Sequence, residues 1–365
     1  MENVFDETVK QKERIKQMEL RLERSAAALR ELSAALDKYE SVQEDLKALD
    51  EYYGSSEWKQ DYADDEAGRL PSDLKRGVLS EDGIWNLLSD AREMKMITEL
   101  PSRYNHLEKM PVSELLAHIN VEDTLVAKAV RHAIPQIQAL VEAVEPRMKR
   151  GGRLFYVGAG TSGRLGVLDA SELPPTFGVS EDWVVGIIAG GDGALRHAVE
   201  KAEDDPEQGW RDVLVYHPDA DDCVIGIAAS GTTPYVVGAV RHAKENGLLT
   251  GCITSNPDTP LAKAADCPVE TFVGPEFVTG SSRMKSGTAQ KMVLNMISTT
   301  LMIRMGRIKG NRMVKMQLTS AKLVDRGTRM LQDYLGLDYD EAQQRLLDAG
   351  SVDRALQEGD NKSNQ

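Results

Sequence analysis

Cysteine and long apolar runs are scarce in this 365-residue chain, and basic residues are fewer than acidic ones. The three cysteines, Cys223, Cys252 and Cys267, are too few and too scattered for a disulfide framework, and they predict thiols kept in a reducing compartment. No apolar run approaches the roughly 20 residues that span a bilayer. The charged N-terminus lacks the apolar core of a secretory signal. We therefore expect a soluble, cytoplasmic protein with no membrane partner.

The charge balance is acidic, with 58 Asp and Glu against 44 Lys and Arg and a net charge of −14. Nucleic acids and anionic membranes are bound by clustered Lys and Arg, so this balance argues against a nucleic-acid partner. The six histidines show no spacing typical of metal ligands, and we expect no metal site. A small anionic ligand is still compatible, because backbone amides at the start of a helix bind anions locally.

The first hundred residues differ in pattern from the rest. Apolar residues fall on alternating steps of three and four between Ile15 and Leu46, and this heptad seam predicts a long helix over about 7–52. Segment 69–95 predicts one shorter helix. We interpret residues 1–95 as an all-α helical hairpin or coiled-coil extension, whose seam requires a helical partner in this chain or in another. Its composition indicates no catalytic chemistry.

From about residue 97 onward, apolar strands alternate with helices. The predicted strands are 153–157, 184–190, 223–229, 248–255 and 268–273. The predicted helices are two within 112–149, separated by a break at 120–123, and others at 163–171, 193–203, 234–246 and 282–305. Such alternation predicts an α/β fold with a doubly wound parallel sheet flanked by helices. A small C-terminal helical region follows over 331–358, with a final helix from about 340 to 350, and the polar tail 359–365 predicts disorder.

The loop GAGTSGR (158–164) matches the dinucleotide fingerprint G-x-G-x-x-G. That reading needs an acidic residue about 20 positions later, and Asp192 is late and flanked by glycines. Two further loops rich in Ser and Thr, 228–235 and 253–257, also follow predicted strands. Ligands of open parallel sheets bind at such junctions, and hydroxyls with free helix-start amides suit a phosphate monoester or a sugar. A sugar phosphate is favoured, while a dinucleotide and a purely structural turn stay open.

The loop residues predicted to bind substrate or phosphate share a hydroxyl group or a glycine amide. They are Gly160, Thr161, Ser162, Ser230, Gly231, Thr232, Thr233 and Ser255. Lys285, in SRMKSGTAQK, places a cation near the phosphate or is a surface lysine close to a helix start.

Four longer stretches resemble the N-acetylmuramic acid 6-phosphate etherase family, which has the sugar isomerase (SIS) fold. They are GAGTSGRLGVLDASELPPTFG (158–178), AVEKAEDDPEQG (198–209), GIAASGTTPY (226–235) and GPEFVTGSSRMKSGTAQKMVLN (274–295). The resemblance runs from about 97 to 355 and implies an SIS etherase domain over 97–330. Residues 1–95 lie outside it and are similar to a small bacterial helical domain of unknown function. The same branch includes the glucokinase regulatory protein, which binds sugar phosphates without catalysis.

The resemblance implies a cofactor-free lyase acting on a sugar 6-phosphate that carries D-lactate as an ether at C3. The open-chain aldehyde acidifies the C2 proton, its removal expels lactate, and water then adds at C3. This chemistry needs a base at C2 and an acid at the lactyl oxygen. A non-catalytic sugar-phosphate regulator and an aldose–ketose isomerase are the alternatives, and a homodimer is implied because SIS active sites often form between subunits.

Two glutamates match the catalytic positions of the family. Glu172, in DASELPPTFG, is assigned as the acid, and we expect Pro174–Pro175 to end its helix and stiffen the backbone there. Glu203, in KAEDDPEQG, is assigned as the C2 base and is expected at a helix C-terminus, where the helix dipole disfavours a carboxylate. From spacing alone, both could be solvated surface acids. Glu276 lies in the family-like stretch GPEFVTGS and is predicted to position the ligand.

Overall fold

The computed structural model describes residues 16–19, 23, 42–71, 73–80, 83–84, 87, 97–199 and 201–363. The chain divides into two compact units, residues 1–93 and residues 94–365. Within the described residues, no helix is both long and apolar enough to cross a membrane.

The N-terminal unit contains helices α1 (Gln43–Tyr52) and α2 (Ser56–Glu66). Residues 16–19, 23, 83–84 and 87 are also helical, and the rest of the helices predicted over 7–52 and 69–95 lies largely outside the described residues.

An aromatic cluster packs α2 against Tyr53, the residue that follows α1. Trp58 is buried, edge-on to Tyr53 at 4.9 Å and stacked on Tyr62 at 5.2 Å between ring centroids. Its indole N–H donates to the carbonyl of Val78 at 3.1 Å. The described part of this unit is therefore held by a tryptophan anchor with a satisfied polar edge.

Five parallel strands form the sheet of the second unit, in the order β2-β1-β3-β4-β5. Their bounds are β1 Leu154–Gly158, β2 Val184–Ile188, β3 Cys223–Ile227, β4 Leu249–Thr254 and β5 Cys267–Glu270. Parallel strands buried on both faces consist of near-continuous apolar residues, which is why each predicted run became a strand.

Six helices cover the two faces of this sheet. Helices α3 (Val112–Lys149), α4 (Gly160–Phe177) and α8 (Lys285–Arg304) bury one apolar cluster against it. Helices α5 (Gln208–Leu214), α6 (Pro234–Glu245) and α7 (Pro260–Ala264) bury a second cluster on the opposite face. The doubly wound α/β fold with a helical N-terminal region is therefore confirmed.

The break expected at 120–123 is wrong, because α3 is one continuous helix of 38 residues. Glu122 lies on the same face as Val126 and Val130, and all three side chains are buried. The polar segment thus continues the buried stripe instead of forming a turn. An ion pair to Lys285 satisfies the Glu122 carboxylate there.

The helix expected at 193–203 is also wrong. A single 3₁₀ turn, Asp192–Leu195, is followed by residues 196–199 and 201–207, which form no α-helix before α5 begins. This segment lies directly on α6, since a Cβ added to Gly238 would be 1.7 Å from the Pro206 carbonyl oxygen. Close packing on α6 therefore replaced the local helical preference, and Glu203 is not at a helix C-terminus.

The proline pair does not end α4, contrary to expectation. Pro174 and Pro175 lie within the helix, which continues to Phe177 and ends at Gly178 with φ 62°. Prolines in a last turn remove few helical hydrogen bonds, and the burial of Pro174 and Phe177 holds that turn against the unit.

The C-terminal region is larger than predicted. Helices α9 (Ala321–Leu335), α10 (Tyr339–Ala349) and α11 (Val352–Ser363) surround an apolar cluster that includes Leu331 and Leu346. The region therefore begins before residue 331, and α10 matches the helix expected at about 340–350 without being the last one. Helix α11 covers residues 359–363, for which the polar composition predicted disorder, because its amphipathic first turns carry the helix onward.

Candidate functional site

Three loops meet at the carboxyl-terminal edge of the sheet. They join β1 to α4, β3 to α6 and β4 to α7. Strands β1, β3 and β4 are consecutive in the sheet, so the loops at their ends are neighbours. This crevice is where doubly wound sheets bind their ligands.

The glycines of the first loop let helix and strand approach closely. A Cβ on Gly163 would lie 2.6 Å from a side-chain carbon of Ile188 and 2.8 Å from the carbonyl oxygen of Gly158. Gly160 adopts φ 52° at the start of α4. The G-x-G-x-x-G pattern is therefore accounted for by packing, and it does not require a dinucleotide.

The first turn of α4 leaves backbone donors open. Across the described residues, the amides of Gly160, Thr161 and Ser162 have no hydrogen-bond acceptor. Free amides at the start of a long helix form an anion site together with the helix dipole.

Ser162 and Thr161 join α4 to α8. The Ser162 hydroxyl is buried and donates to Oε1 of Gln290 at 2.9 Å. The Thr161 methyl group lies 3.4 Å from where a Cβ of Gly287 would be. The Ser162 hydroxyl is thus engaged within the protein, while its amide stays open.

The second loop groups its hydroxyls tightly. Thr232 donates to Oγ of Ser230 through its amide at 3.2 Å and through its hydroxyl at 3.1 Å. Gly231 has φ 71°, and a Cβ there would lie 2.5 Å from the Thr259 side chain. Thr233 precedes Pro234 at the start of α6. The loop is therefore compact, with Thr232 exposed and Ser230 and Thr233 half-buried.

Ser255, in the third loop, lies inside the protein. Its side chain is fully buried, its amide donates to the Ala229 carbonyl at 3.0 Å, and its hydroxyl is 3.5 Å from that of Thr271. Ser255 therefore contacts the second loop through its backbone.

Glu276 is a helix cap in the structure. Its carboxylate is fully buried and accepts the amides of Lys285 and Ser286 at 2.9 and 3.0 Å, and the Ser286 hydroxyl at 2.9 Å. These are the free donors at the start of α8 that a capping carboxylate satisfies.

Lys285 is buried and not on the surface. Its ammonium group pairs with Glu122, which also accepts from an Arg103 guanidinium nitrogen at 3.2 Å and from the Tyr104 hydroxyl at 3.4 Å. Burial raises the pKa of Glu122, but the hydrogen bond and charge of Lys285, with the charge of Arg103, outweigh it and hold the pKa below its usual value. The Lys285 charge is thus largely neutralised within the protein.

Glu203 lies beside the second loop. Its backbone carbonyl accepts the amide of Tyr235 at 3.0 Å, at the start of α6. Its side chain is exposed, and over the described ranges the carboxylate has neither a hydrogen bond nor an ion pair.

Glu172 lies away from the three loops. It is twelve positions after Gly160 on α4, which corresponds to about 18 Å along the helix axis. Because Gly163 packs on Ile188 at the end of β2 and Val167 packs on Gly186 in its middle, α4 runs back toward the amino-terminal edge. The Glu172 carboxylate is exposed there and has no partner among the residues that the structure describes.

The structure therefore gathers most predicted site residues at one edge and leaves Glu172 apart. The sequence interpretation missed the Glu122–Lys285 ion pair. A signal was present, because Glu122 falls on the spacing that continues through Val126, Val130, and Ala133. A charge at an apolar position of a helix stripe indicates a buried partner.

Comparison with known proteins identifies both parts of the chain. The SIS domain family matches residues 210–299, and the glucokinase regulatory protein N-terminal SIS domain matches residues 136–244. A domain of unknown function, DUF4298, matches residues 15–99.

Two curated relatives decide the family. The N-acetylmuramic acid 6-phosphate etherase of Bacteroides thetaiotaomicron (strain VPI-5482) is 63% identical over 265 residues, which are 73% of this chain and 96% of the relative. The protein of that name from Porphyromonas gingivalis (strain W83) is 64% identical over 256 residues, or 70% and 93%. The chain belongs to the N-acetylmuramic acid 6-phosphate etherase family.

Membership in the etherase family confirms the resemblance drawn from the sequence. The DUF4298 match separately confirms that the N-terminal residues are similar to a domain of unknown function. A solved phosphoheptose isomerase from Francisella tularensis has a TM-score of 0.40 and 17% identity, covering 52% of this chain and 99% of its own. This similarity is too low to carry information on function.

Proposed function

We propose that this chain cleaves the D-lactyl ether of N-acetylmuramic acid 6-phosphate, giving N-acetylglucosamine 6-phosphate and D-lactate. The observation that carries the proposal is the 63% identity over 96% of a relative with that name. The enzyme is then a carbon–oxygen lyase, and the reaction belongs to the recycling of peptidoglycan amino sugars in the cytoplasm.

The reaction proceeds by elimination and readdition of water. A base removes the C2 proton of the open-chain aldehyde, the C3–O bond breaks, and an acid protonates the departing lactate oxygen. Water then supplies a hydroxyl to C3 and a proton to C2. Positioned carboxyl groups contribute about 10²- to 10⁴-fold each to such proton transfers. Glu203 is assigned as the base and Glu172 as the acid.

The open amides of Gly160, Thr161 and Ser162 and the hydroxyls of Ser230 and Thr232 are the proposed phosphate cradle. They lie on neighbouring loops and, apart from the Ser230–Thr232 contacts, stay available to a ligand. Thr233 and Gly231 complete the second loop. Lys285, Glu276 and Ser255 are assigned to the support of this cradle, because each is buried and engaged within the protein.

The position of Glu172 supports a homodimer with shared sites. A sugar phosphate in the cradle cannot reach a carboxylate about 18 Å along α4 in the same protomer. A second copy that places its own Glu172 near the loops would complete the site. Glu203, in contrast, serves the site of its own protomer through its backbone contact with Tyr235.

The first test is release of D-lactate from purified protein and N-acetylmuramic acid 6-phosphate. Lactate in stoichiometric amount with N-acetylglucosamine 6-phosphate supports the proposal. Binding of the sugar phosphate without release of lactate would instead support a regulator, the role suggested by the matching glucokinase regulatory protein domain. Conversion to a ketose phosphate would support an isomerase.

A second test mixes two inactive variants, Glu172→Gln and Glu203→Gln. In a shared-site dimer, one site of each mixed dimer has both glutamates intact, so full exchange restores about a quarter of the parent activity. A mixture that stays inactive after demonstrated subunit exchange contradicts the shared site without touching the assignment of the reaction.

The partner of the N-terminal helices is tested by deleting residues 1–95. The deletion keeps the complete region that resembles the etherases. An unchanged oligomer size with unchanged lactate release places the helical seam outside the catalytic dimer. A smaller oligomer shows that this seam joins protomers.

A further inference from the structure

Asn256 is a buried polar residue of the third loop, which follows β4. Its side chain is fully buried, and one Nδ2 hydrogen is shared between the Ser230 carbonyl at 3.2 Å and the Ala229 carbonyl at 3.4 Å. Both carbonyls belong to the loop of the proposed phosphate cradle. Asn256 thus holds that loop through its backbone.

The other side of the Asn256 carboxamide is fixed by Thr98. The Thr98 amide donates to Oδ1 at 3.0 Å, and Nδ2 donates to the Thr98 hydroxyl at 3.0 Å. Thr98 is 1% exposed. The reciprocal pair sets the plane of the carboxamide, since both of its polar atoms bond the same residue.

The orientation of the loop depends on this plane. The Ser230 carbonyl belongs to the peptide that leads into Gly231, which has φ 71°. Turning that peptide would move the Ser230 hydroxyl and the Thr232 amide that donates to it at 3.2 Å. The loop would rearrange if the buried Ala229 carbonyl and the half-buried Ser230 carbonyl lost the Asn256 donor, because an unsatisfied buried polar group is costly.

We infer that Asn256, oriented by Thr98, is a positioning residue that holds the 228–235 loop in the conformation that binds the phosphate group of the substrate. The inference rests on the proposed function only for the identity of the ligand. Neither side chain acts on the reacting carbons. Loss of the pair therefore weakens binding of the phosphate group and leaves the proton transfers intact.

The experiment compares Thr98→Val with the parent enzyme. Valine keeps the shape of threonine and its amide but removes the hydroxyl that accepts from Asn256. We expect KM for N-acetylmuramic acid 6-phosphate, and the dissociation constant of N-acetylglucosamine 6-phosphate measured by calorimetry, to rise about tenfold. We expect kcat to change less than about threefold. Thr98→Ser restores the hydroxyl and both parent values.

Thr328→Val is the matched control. Thr328 is also fully buried, and its hydroxyl donates to the Val324 carbonyl at 2.9 Å within α9. The Thr328→Val variant also removes a buried threonine hydroxyl, at a position far along the chain from the 228–235 loop. We expect it to lower the melting temperature without changing KM or the dissociation constant.

Two outcomes overturn the inference. One is a fall in melting temperature for Thr98→Val with parent-like KM and ligand affinity, which makes the pair only structural. The other is a fall in kcat larger than the rise in KM. Because calorimetry reports binding without turnover, weaker binding in Thr98→Val supports positioning even where the parent protein releases no lactate, and that case contradicts only the proposed function.

Discussion

Buried and exposed carboxylates of the α/β unit differ in what holds them. Glu122 and Glu276 are 2% and 0% exposed, and each accepts several hydrogen bonds from the protein. Glu172 and Glu203 are exposed, and within the described residues neither carboxylate has a partner. A carboxylate that supports the fold uses its oxygens internally, whereas one that transfers a proton must keep them free for a ligand. Residue type and spacing alone do not separate the two roles.

The largest expected effect is on activity. Glu172→Gln and Glu203→Gln should each lower kcat for lactate release about 10²- to 10⁴-fold, because an amide neither accepts nor donates the required proton. Melting temperatures should match the parent, since no internal contact is lost. Circular dichroism melts and a D-lactate assay check both. A variant that loses stability in proportion to activity would place its glutamate with the buried group.

Glu122→Gln is expected to lower the stability of the protein, in contrast to the two exposed glutamates, whose replacement affects activity. It leaves the Lys285 ammonium buried without its counter-ion, and removing one member of a buried pair costs about 3–5 kcal/mol. Urea unfolding should show this loss, and Lys285→Met with Glu122→Leu should recover part of it. A change below about 1 kcal/mol in the single variant would show that this pair is open to solvent.

Glu276→Ala should have a smaller effect on stability. It removes the cap of α8 and leaves the amides of Lys285 and Ser286 without an acceptor, at a cost of about 2 kcal/mol. Glu276→Asp keeps the charge, and its free energy of unfolding should lie between those of the parent and of Glu276→Ala. If Glu276→Ala instead raised KM at unchanged stability, Glu276 would belong with the ligand-binding residues.

The smallest expected effect is a difference in pH dependence between two buried acids. Glu122 has a pKa below its ordinary 4.5, so its stabilisation is present above that pH and is lost as pH falls through the lowered value. Burial raises the pKa of Asp169 above 3.8, against hydrogen bonding from Ser298 and the charge of Lys291. The stabilisation that protonated Asp169 gives to the folded state is complete below pH 3.8, and it is lost as the pH rises through the raised pKa. Asp169→Asn should therefore gain stability relative to the parent between pH 4 and pH 7, measured by urea unfolding, and a relative loss would contradict this sign.

The sequence was sufficient for the five strands and for the loops that follow them. Parallel strands covered on both faces need uninterrupted apolar residues, and helix-start loops carry Gly, Ser and Thr, so these features are local. The second loop was therefore predicted from the pattern, whereas Glu203 was assigned by resemblance; the structure brings the backbones of the loop and of Glu203 together at Tyr235.

The features that the sequence did not reveal depend on distant partners. Glu122 stays helical because Lys285 neutralises it from 163 positions away, and residues 201–207 are irregular because Pro206 packs on α6. Glu172 was assigned to the same site as the glycine loop that precedes it in the chain. Proximity in the sequence misleads there, because a helix of 18 residues carries its last turns to the opposite edge of the sheet.

Helix α4 consequently sets the distance between the glycine loop and Glu172. Its first turn contributes to one crevice, while its far end presents Glu172 at a fixed distance that the helical rise sets. Inserting one residue between Gly160 and Glu172 would turn the carboxylate by about 100° around the helix axis and shift it by about 1.5 Å. If the proposed assignment of Glu172 holds, the length of this helix is therefore as constrained as the side chain that it carries.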